Sequence, residues 1–233
     1  MRKIVAAIGL AALSFSGSAA FAQSSPVVVE LFTSQGCSSC PPADEMMHEL
    51  AAHEGVIALA FHVDYWDYIG WRDTFGSAEN TARQNAYAYA AGSRTVYTPQ
   101  FVVGGVDHVI GARGMELMDA INAHRAVAPS VILEARLAEG VLTLRAQSQI
   151  AQEMTVQLIR YSASQSVDIE HGENAGATIV YANTVMAWSV LTEWDGTAPL
   201  DLSAQIDGEY ESVVIVQALG AGPILAAADL ASD

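Results

Sequence analysis

Lysine, cysteine and long apolar segments are scarce in this chain. Its one lysine is Lys3, and it has only two cysteines in 233 residues. The rest of the chain therefore has no lysine for Schiff-base chemistry, and two cysteines are too few for a zinc site with four thiolate ligands. No segment beyond the N-terminus is long and apolar enough to cross a membrane.

The N-terminus has the pattern of an export signal. Arg2 and Lys3 supply positive charge, residues 4–13 form a short apolar run, and residues 20–22 are a small-x-small cleavage site. An uncleaved membrane anchor is the alternative, but the apolar run is short for a bilayer. We expect residues 1–22 to be removed as a signal peptide, which leaves a periplasmic or secreted protein without membrane contact.

The mature chain is strongly acidic. Without Arg2 and Lys3, eight of the ten basic residues remain against 26 acidic ones, a net charge of −18. Such a chain is a poor partner for nucleic acid and for anionic membranes. We interpret the acidity as an aid to solubility outside the cytoplasm.

The two cysteines, Cys37 and Cys40, stand two residues apart. They follow an apolar run at residues 27–32 and precede Pro41 and a helical pattern. A disulfide across two residues constrains the unfolded chain little, so a purely structural bridge is the less favoured interpretation. A thiol pair at this spacing, between a strand and a helix start, is how thiol–disulfide oxidoreductases build their active site.

The position of each cysteine predicts its role. The helix dipole and the unpaired amide groups of a helix start favour a thiolate on the first cysteine. We expect Cys37 to be the more exposed, attacking thiolate and Cys40 to be the buried, resolving thiol. Ser38 and Ser39 either donate hydrogen bonds to the Cys37 thiolate or cap the helix.

Apolar patterning over residues 23–128 predicts the order strand, CxxC, helix, strand, helix, Thr-Pro, strand, strand, helix. Strand–helix–strand units predict a parallel core, to which the last hairpin adds an antiparallel edge. This order resembles the thioredoxin fold, in which a cis-proline opens the strand that faces the CxxC helix. The resemblance implies a cis Thr98–Pro99 bond at the site, where Thr98 offers its backbone to a substrate peptide. A trans-proline at a strand start is the alternative.

Three motifs resemble one bacterial exported family, the domain of unknown function DUF1223. They are residues 29–44 (VELFTSQGCSSCPPAD), residues 62–67 (HVDYWD) and residues 97–100 (YTPQ). The resemblance extends over nearly the whole mature chain. It implies a thioredoxin-like α/β domain and leaves the substrate open.

Glu30 interrupts an otherwise apolar strand. Thioredoxin-like proteins often carry a buried carboxylate near the resolving cysteine, where it accepts a proton through water. The resemblance implies this role for Glu30, although its position seven residues before Cys37 is one further than usual. A carboxylate on a solvated strand face is the alternative.

An aromatic, acidic loop follows the second predicted strand. Trp66, Tyr68 and Trp71 are candidates for a wall that binds a substrate peptide. Packing of these rings on the domain core or against the second domain is the interpretation that we favour.

Residues 129–233 have a different pattern. Strand-like runs dominate, and the turn signals Glu139-Gly140, Asp195-Gly196 and Asp207-Gly208 separate them. This pattern predicts a mainly antiparallel β-sandwich-like domain after the thioredoxin-like domain. We interpret it as a structural or partner-docking module.

The sequence favours an exported thiol–disulfide oxidoreductase that uses Cys37, Cys40 and Pro99 and needs no cofactor and no metal. Its expected partners are the thiols and disulfides of exported proteins and an unidentified redox partner. One alternative is a periplasmic Cu(I)-binding metallochaperone, since a CxxC thiolate pair binds Cu(I). Its nearby soft or borderline ligands are Met46, Met47, His48 and His62. Another alternative is a binding module on a thioredoxin scaffold.

Overall fold

The fold, taken from a computed structural model that describes residues 25–230, consists of eleven strands and three α-helices. The predicted signal peptide lies outside these residues. None of the helices in the described part is long and apolar enough to cross a membrane. The elements are β1 (Val27–Thr33), α1 (Pro41–Ala51), β2 (Val56–His62), α2 (Ala78–Ala90), β3 (Gln100–Val103), β4 (Asp107–Ile110), α3 (Gly114–Arg125), β5 (Val131–Ala138), β6 (Val141–Ser148), β7 (Met154–Asp168), β8 (Thr178–Trp194), β9 (Leu200–Gln205), β10 (Glu211–Ala218) and β11 (Ile224–Asp229).

One mixed sheet of eight strands organises the molecule, in the order β11-β10-β7-β8-β2-β1-β3-β4. β1 and β2 are parallel, while β3 and β4 are antiparallel to their neighbours, which confirms the predicted parallel core with an antiparallel edge. β8 joins this core in parallel to β2, through Ala60 and Thr184. Strands on both sides of the predicted boundary at residues 128–129 therefore belong to one sheet.

β1 is buried on both faces, as its continuous apolar run predicts. Val29 and Leu31 pack with residues of α1 and α3 on one face. Val28 and Phe32 face the other way, into a cluster that includes Tyr87 of α2 and strands of the C-terminal half. Because side chains alternate along a strand, the odd-numbered residues of β1 point towards α1 and α3 and the even-numbered residues point to the other face.

A second sheet covers part of the first. β5, β6 and β9 form three antiparallel strands. Leu142 and Leu144 of β6 pack with Val156 of β7 and Val214 of β10. This part of the molecule is therefore two layers of strands around an apolar core, and the whole is a mixed α/β fold dominated by strands.

β7 and β8 form a long hairpin of 15 and 17 residues. Their pairing continues to Asp168 and Thr178, and we call the connecting residues 169–177 the hairpin tip. Asn183 of β8 has a φ of 48° and donates a hydrogen bond to the carbonyl of Ala58. Beyond this bend β8 reaches α1, where the His48 ring donates to the carbonyl of Val180.

Candidate functional site

Cys37 and Cys40 are joined by a disulfide in the turn between β1 and α1, with their Cα atoms 5.4 Å apart. Cys40 is the N-cap of α1, and its carbonyl accepts hydrogen bonds from the amides of Ala43 and Asp44. Pro41 suits the first turn because it has no amide hydrogen to satisfy. Cys37 therefore lies in the turn before the helix, not inside its first turn.

Both cysteines are buried in this oxidised form, and their exposures differ only slightly, in the predicted order. Cys37 is 2% exposed and Cys40 is 0% exposed, whereas Ser38 and Ser39 between them are exposed. Segments that are distant in sequence but close in space contact this turn, and the CxxC motif alone does not reveal these tertiary contacts.

Thr98 and Pro99 lie beside the cysteines, and the bond between them is cis, as predicted. The Ser39 hydroxyl is 3.4 Å from Cys37 Sγ and donates to the Thr98 carbonyl at 3.4 Å. The Trp66 indole N–H donates to the Thr98 hydroxyl at 2.8 Å. The CxxC turn, the Thr-Pro loop and the aromatic loop thus meet at one place.

The three aromatic candidates divide between two environments. Tyr68 is 79% exposed and stacks on Trp66, with ring centroids 6.4 Å apart. The Trp71 indole N–H donates to Gln35 Oε1 at 2.8 Å, and its ring contacts His171 of the hairpin tip. Trp66 and Tyr68 therefore flank the site, and Trp71 packs against the C-terminal half.

Glu30 lies on the other face of the sheet. As an even-numbered β1 residue it points with Val28 and Phe32, away from α1 and the cysteines. Its Oε1 accepts hydrogen bonds from Nε and Nη2 of Arg83, at 2.9 and 2.7 Å, and both side chains are buried. The geometry does not support Glu30 as the proton acceptor of Cys40, because strand alternation directs it to α2.

Asp44 is a buried carboxyl group on the cysteine side of the sheet. It follows Cys40 by one helical turn and is 3% exposed. Its Oδ1 accepts a hydrogen bond from the Thr33 hydroxyl at 2.7 Å, and its Oδ2 has no protein partner. Burial raises the pKa of Asp44 to about 7, against a smaller lowering by the Thr33 hydrogen bond. Its place among the buried residues Ala43, Met47 and Leu50 of α1 is the sequence signal that could have found it.

Further polar groups are buried on the same face. His62 Nδ1 donates to Asp73 Oδ2 at 2.8 Å, and both side chains are fully buried. Burial alone would lower the pKa of His62, but the Asp73 carboxylate more than offsets this and raises it. His62 Nε2, the Tyr181 hydroxyl and the Thr184 hydroxyl have no protein partner. These groups come from β2 and β8, so both halves of the chain enclose this polar region.

The hairpin tip reaches the cysteine turn directly. Asn174 Nδ2 donates to the carbonyls of Gln35 and Cys37, at 2.9 and 3.0 Å. The loop at residues 71–74 holds Gln35 from the other side, where the Gln35 amide donates to Asp73 at 2.7 Å. Sequence reasoning missed Asn174, since it is 137 residues from Cys37 and no local pattern marks it.

The side chains named for Cu(I) binding do not gather around the cysteines. Met47 is 1% exposed in the apolar core with Met46 packed against that core, while His48 and His62 are hydrogen-bonded to Val180 and Asp73. Within residues 25–230, no group of three or more His, Cys, Asp and Glu side chains is arranged to hold a metal ion.

The chain belongs to the family described as "Protein of unknown function (DUF1223)", which matches residues 28–217. A crystal structure of a protein from Agrobacterium tumefaciens, a target of the Northeast Structural Genomics Consortium, is similar, with 31% sequence identity and a TM-score of 0.76. The similarity covers 88% of this chain and 93% of that one. No curated protein matches the chain.

Proposed function

We propose that this protein is an exported thiol–disulfide oxidoreductase whose active site, Cys37 and Cys40, lies on a thioredoxin-like unit. The observation that carries the proposal is the meeting of the cysteine turn with the Thr98–Pro99 loop. There the Ser39 hydroxyl contacts both Cys37 Sγ and the Thr98 carbonyl. A cysteine pair at a helix start, beside the exposed Ser38 and Ser39, is suited to disulfide exchange with a peptide.

The exchange has two steps. The Cys37 thiolate attacks one sulfur of a substrate disulfide, forms a mixed disulfide and releases the other sulfur as a thiolate, which takes a proton from water. The Cys40 thiol then gives up its proton, and its sulfur attacks Cys37. This forms the Cys37–Cys40 disulfide and releases the second substrate thiolate. Two electrons pass from the cysteine pair to the substrate, and the reverse order oxidises a substrate dithiol.

Asp44 is the proposed proton acceptor for Cys40. Its unpartnered Oδ2 is buried on the cysteine side of the sheet, one helical turn from Cys40. A carboxyl group whose pKa is about 7 can both take and return a proton near neutral pH. Glu30, held by Arg83 on the opposite face, is replaced in this role.

The test measures both steps separately. The Cys40→Ser variant should accumulate mixed disulfides on Cys37, and the Cys37→Ser variant should accumulate none. For the wild type, the rate at which Cys40 resolves the mixed disulfide should rise with pH through about 7. Asp44→Asn should slow this step roughly tenfold or more and remove that rise, as expected for loss of a general base.

Glu45→Gln is the matched control, because Glu45 is exposed on the same helix. It should keep both the rate and the pH profile of the wild type. A wild-type protein that exchanges with no disulfide but binds Cu(I) tightly through Cys37 and Cys40 would favour the metallochaperone instead.

The export part of the proposal rests on the first 22 residues and on the acidic mature chain. The expected partners are thiols and disulfides of other exported proteins and a redox partner that resets the pair. Mass spectrometry of the protein from the periplasmic fraction should give an N-terminus at Gln23. A chain that retains Met1 and stays in the cytoplasm would contradict export.

A further inference from the structure

The hairpin tip covers the cysteine turn from one side. Asn174 bonds to the carbonyl of Cys37 itself, and the tip's Gly172 lies against Trp71, where a Cβ at position 172 would be 3.1 Å from Trp71 Cβ. His171 contacts the same Trp71 ring. Three residues of the tip, His171, Gly172 and Asn174, therefore contact the loops around the cysteines.

A second set of groups lies at the sulfur of Cys37, namely Ser39, Thr98 and, through its hydrogen bond to Thr98, Trp66. The Ser39 hydroxyl lies between Cys37 Sγ and the Thr98 carbonyl, and both serines of the motif are exposed. Rotation of the Ser39 side chain would move its hydroxyl away from Cys37 Sγ, because a hydroxymethyl group moves easily between rotamers. Cys37, which is 2% exposed, would then offer its sulfur to a substrate on the side of Ser39 and Thr98.

Disulfide exchange makes this geometry selective. Cys37 Sγ, the substrate sulfur that it attacks and the leaving sulfur must lie close to one line, so a substrate has to bring its sulfur into contact with a nearly buried atom. A disulfide in an extended, flexible peptide can reach Cys37 past Thr98. The residues around a disulfide on the surface of a folded protein would instead collide with the hairpin tip.

We propose that the hairpin tip, held by Asn174, is a specificity element that restricts the site to disulfides on extended, flexible peptides and excludes those of folded proteins. This inference rests on the proposed function. Asn174 acts as a positioning residue that keeps the tip in place. The C-terminal half thereby forms part of the redox site.

The experiment compares two oxidants of the reduced protein: glutathione disulfide, a short flexible peptide, and a folded protein with one surface disulfide. The measured quantity is the ratio of the two second-order rates, folded protein over glutathione. Asn174→Ala removes two hydrogen bonds and should raise this ratio roughly tenfold. Asn174→Asp places a carboxylate against two carbonyl oxygens and should raise it further.

Glu173→Gln is the control, since Glu173 is an exposed neighbour on the same tip, and it should keep the wild-type ratio. An unchanged ratio in both Asn174 variants would overturn the inference. So would equal acceleration with both oxidants, because the tip would then affect the chemistry of Cys37 and not the choice of substrate.

A second measurement separates this inference from the proposed function. In the reduced Cys40→Ser protein, Cys37 is alkylated by N-ethylmaleimide or by a maleimide attached to a small globular protein. Asn174→Ala should raise the rate ratio of large over small reagent roughly tenfold, whether or not the protein exchanges disulfides. If both reagents react with Cys37 at the same rate in the Cys40→Ser protein that retains Asn174, the hairpin tip does not restrict access to Cys37. Failure of disulfide exchange alone would refute the proposed function.

Discussion

Asp44 combines deep burial with one unpartnered oxygen, and this should appear in the pH dependence of stability. Below about pH 4, Asp44 is protonated in both the folded and the unfolded chain. Between its ordinary pKa of 3.8 and its folded pKa of about 7, only the folded protein holds the proton, so this residue makes stability fall as pH rises. Above pH 7 the loss is complete.

Asp44→Asn should therefore increase the free energy of unfolding of the oxidised protein more at pH 8 than at pH 5. The shift from 3.8 to about 7 corresponds to at most about 4 kcal/mol at full ionisation. Urea unfolding at both pH values measures the difference, with Glu45→Gln as the control. A variant that gains no more stability at pH 8 than at pH 5 would contradict the raised pKa.

Glu30 and Arg83 form a buried ion pair, with side chains 0% and 5% exposed. Arg83 also donates to Gln157 and lies 5.0 Å over the Trp188 ring. Removing one partner leaves the other charge buried and uncompensated, so Glu30→Gln or Arg83→Met should each cost about 3–5 kcal/mol of folding free energy.

A double-mutant cycle provides the check. The combined variant Glu30→Gln/Arg83→Met should lose clearly less than the sum of the two single losses. Arg145→Met, at the exposed pair with Asp201, should change stability little. Additive losses at Glu30 and Arg83 would mean that the ion pair does not couple them.

At the scale of elements, the bend of β8 at Asn183 joins the two halves of the large sheet. Its φ of 48° is a left-handed conformation, and its side chain donates to the carbonyl of Ala58 in β2. Asn183→Gly keeps the backbone conformation and loses the hydrogen bond. Asn183→Ala loses the bond and keeps a Cβ in the left-handed region, which costs about 1–2 kcal/mol more than glycine does there.

Urea unfolding should accordingly rank stability as wild type, then Asn183→Gly, then Asn183→Ala. If the alanine variant is at least as stable as the glycine variant, the left-handed conformation at this bend is not required.

Local sequence patterns predicted the elements around the cysteines well. β1 (Val27–Thr33) extends one residue beyond the apolar run at residues 27–32, and the helix predicted after the cysteines begins at Pro41. Each of these features is decided within a few residues, by an apolar run or by a proline.

The contacts between distant segments were not predicted. Thr184 pairs with Ala60 across 124 positions, and the apolar run of β8 carries no mark of its neighbour in the sheet. The hydrogen bond from Asn174 to the Cys37 carbonyl joins residues 137 positions apart, so local patterns could not predict it for the same reason. Glu30 was assigned by distance along the chain from the cysteines, whereas its direction depends on the alternation of side chains about β1.

At the scale of the whole molecule, the N-terminal half, which carries the cysteines, shares its core with the C-terminal half. Ile159, Val213 and Ile215 pack in one cluster with Phe32 and Phe61. A chain limited to residues 25–128 would expose this apolar face and the free edge of β2. We expect that fragment to lack cooperative unfolding and to aggregate or bind a dye specific for exposed apolar surface.

The intact protein, in contrast, should show one calorimetric transition with equal calorimetric and van't Hoff enthalpies. Addition of a separately produced 129–230 segment to the 25–128 fragment should restore cooperative unfolding. A fragment that folds alone, with sharp and dispersed amide resonances, would establish two independent domains at the predicted boundary.

The position of Asn174 also sets an order of events during synthesis. The ribosome makes Cys37 137 residues before the side chain that bonds to it. At ordinary translation rates this interval is roughly 10–30 s. Until the hairpin tip has folded onto the turn, the two thiols lack this contact, so an oxidant that meets the exported chain before it folds would have freer access to them than one that meets the finished fold.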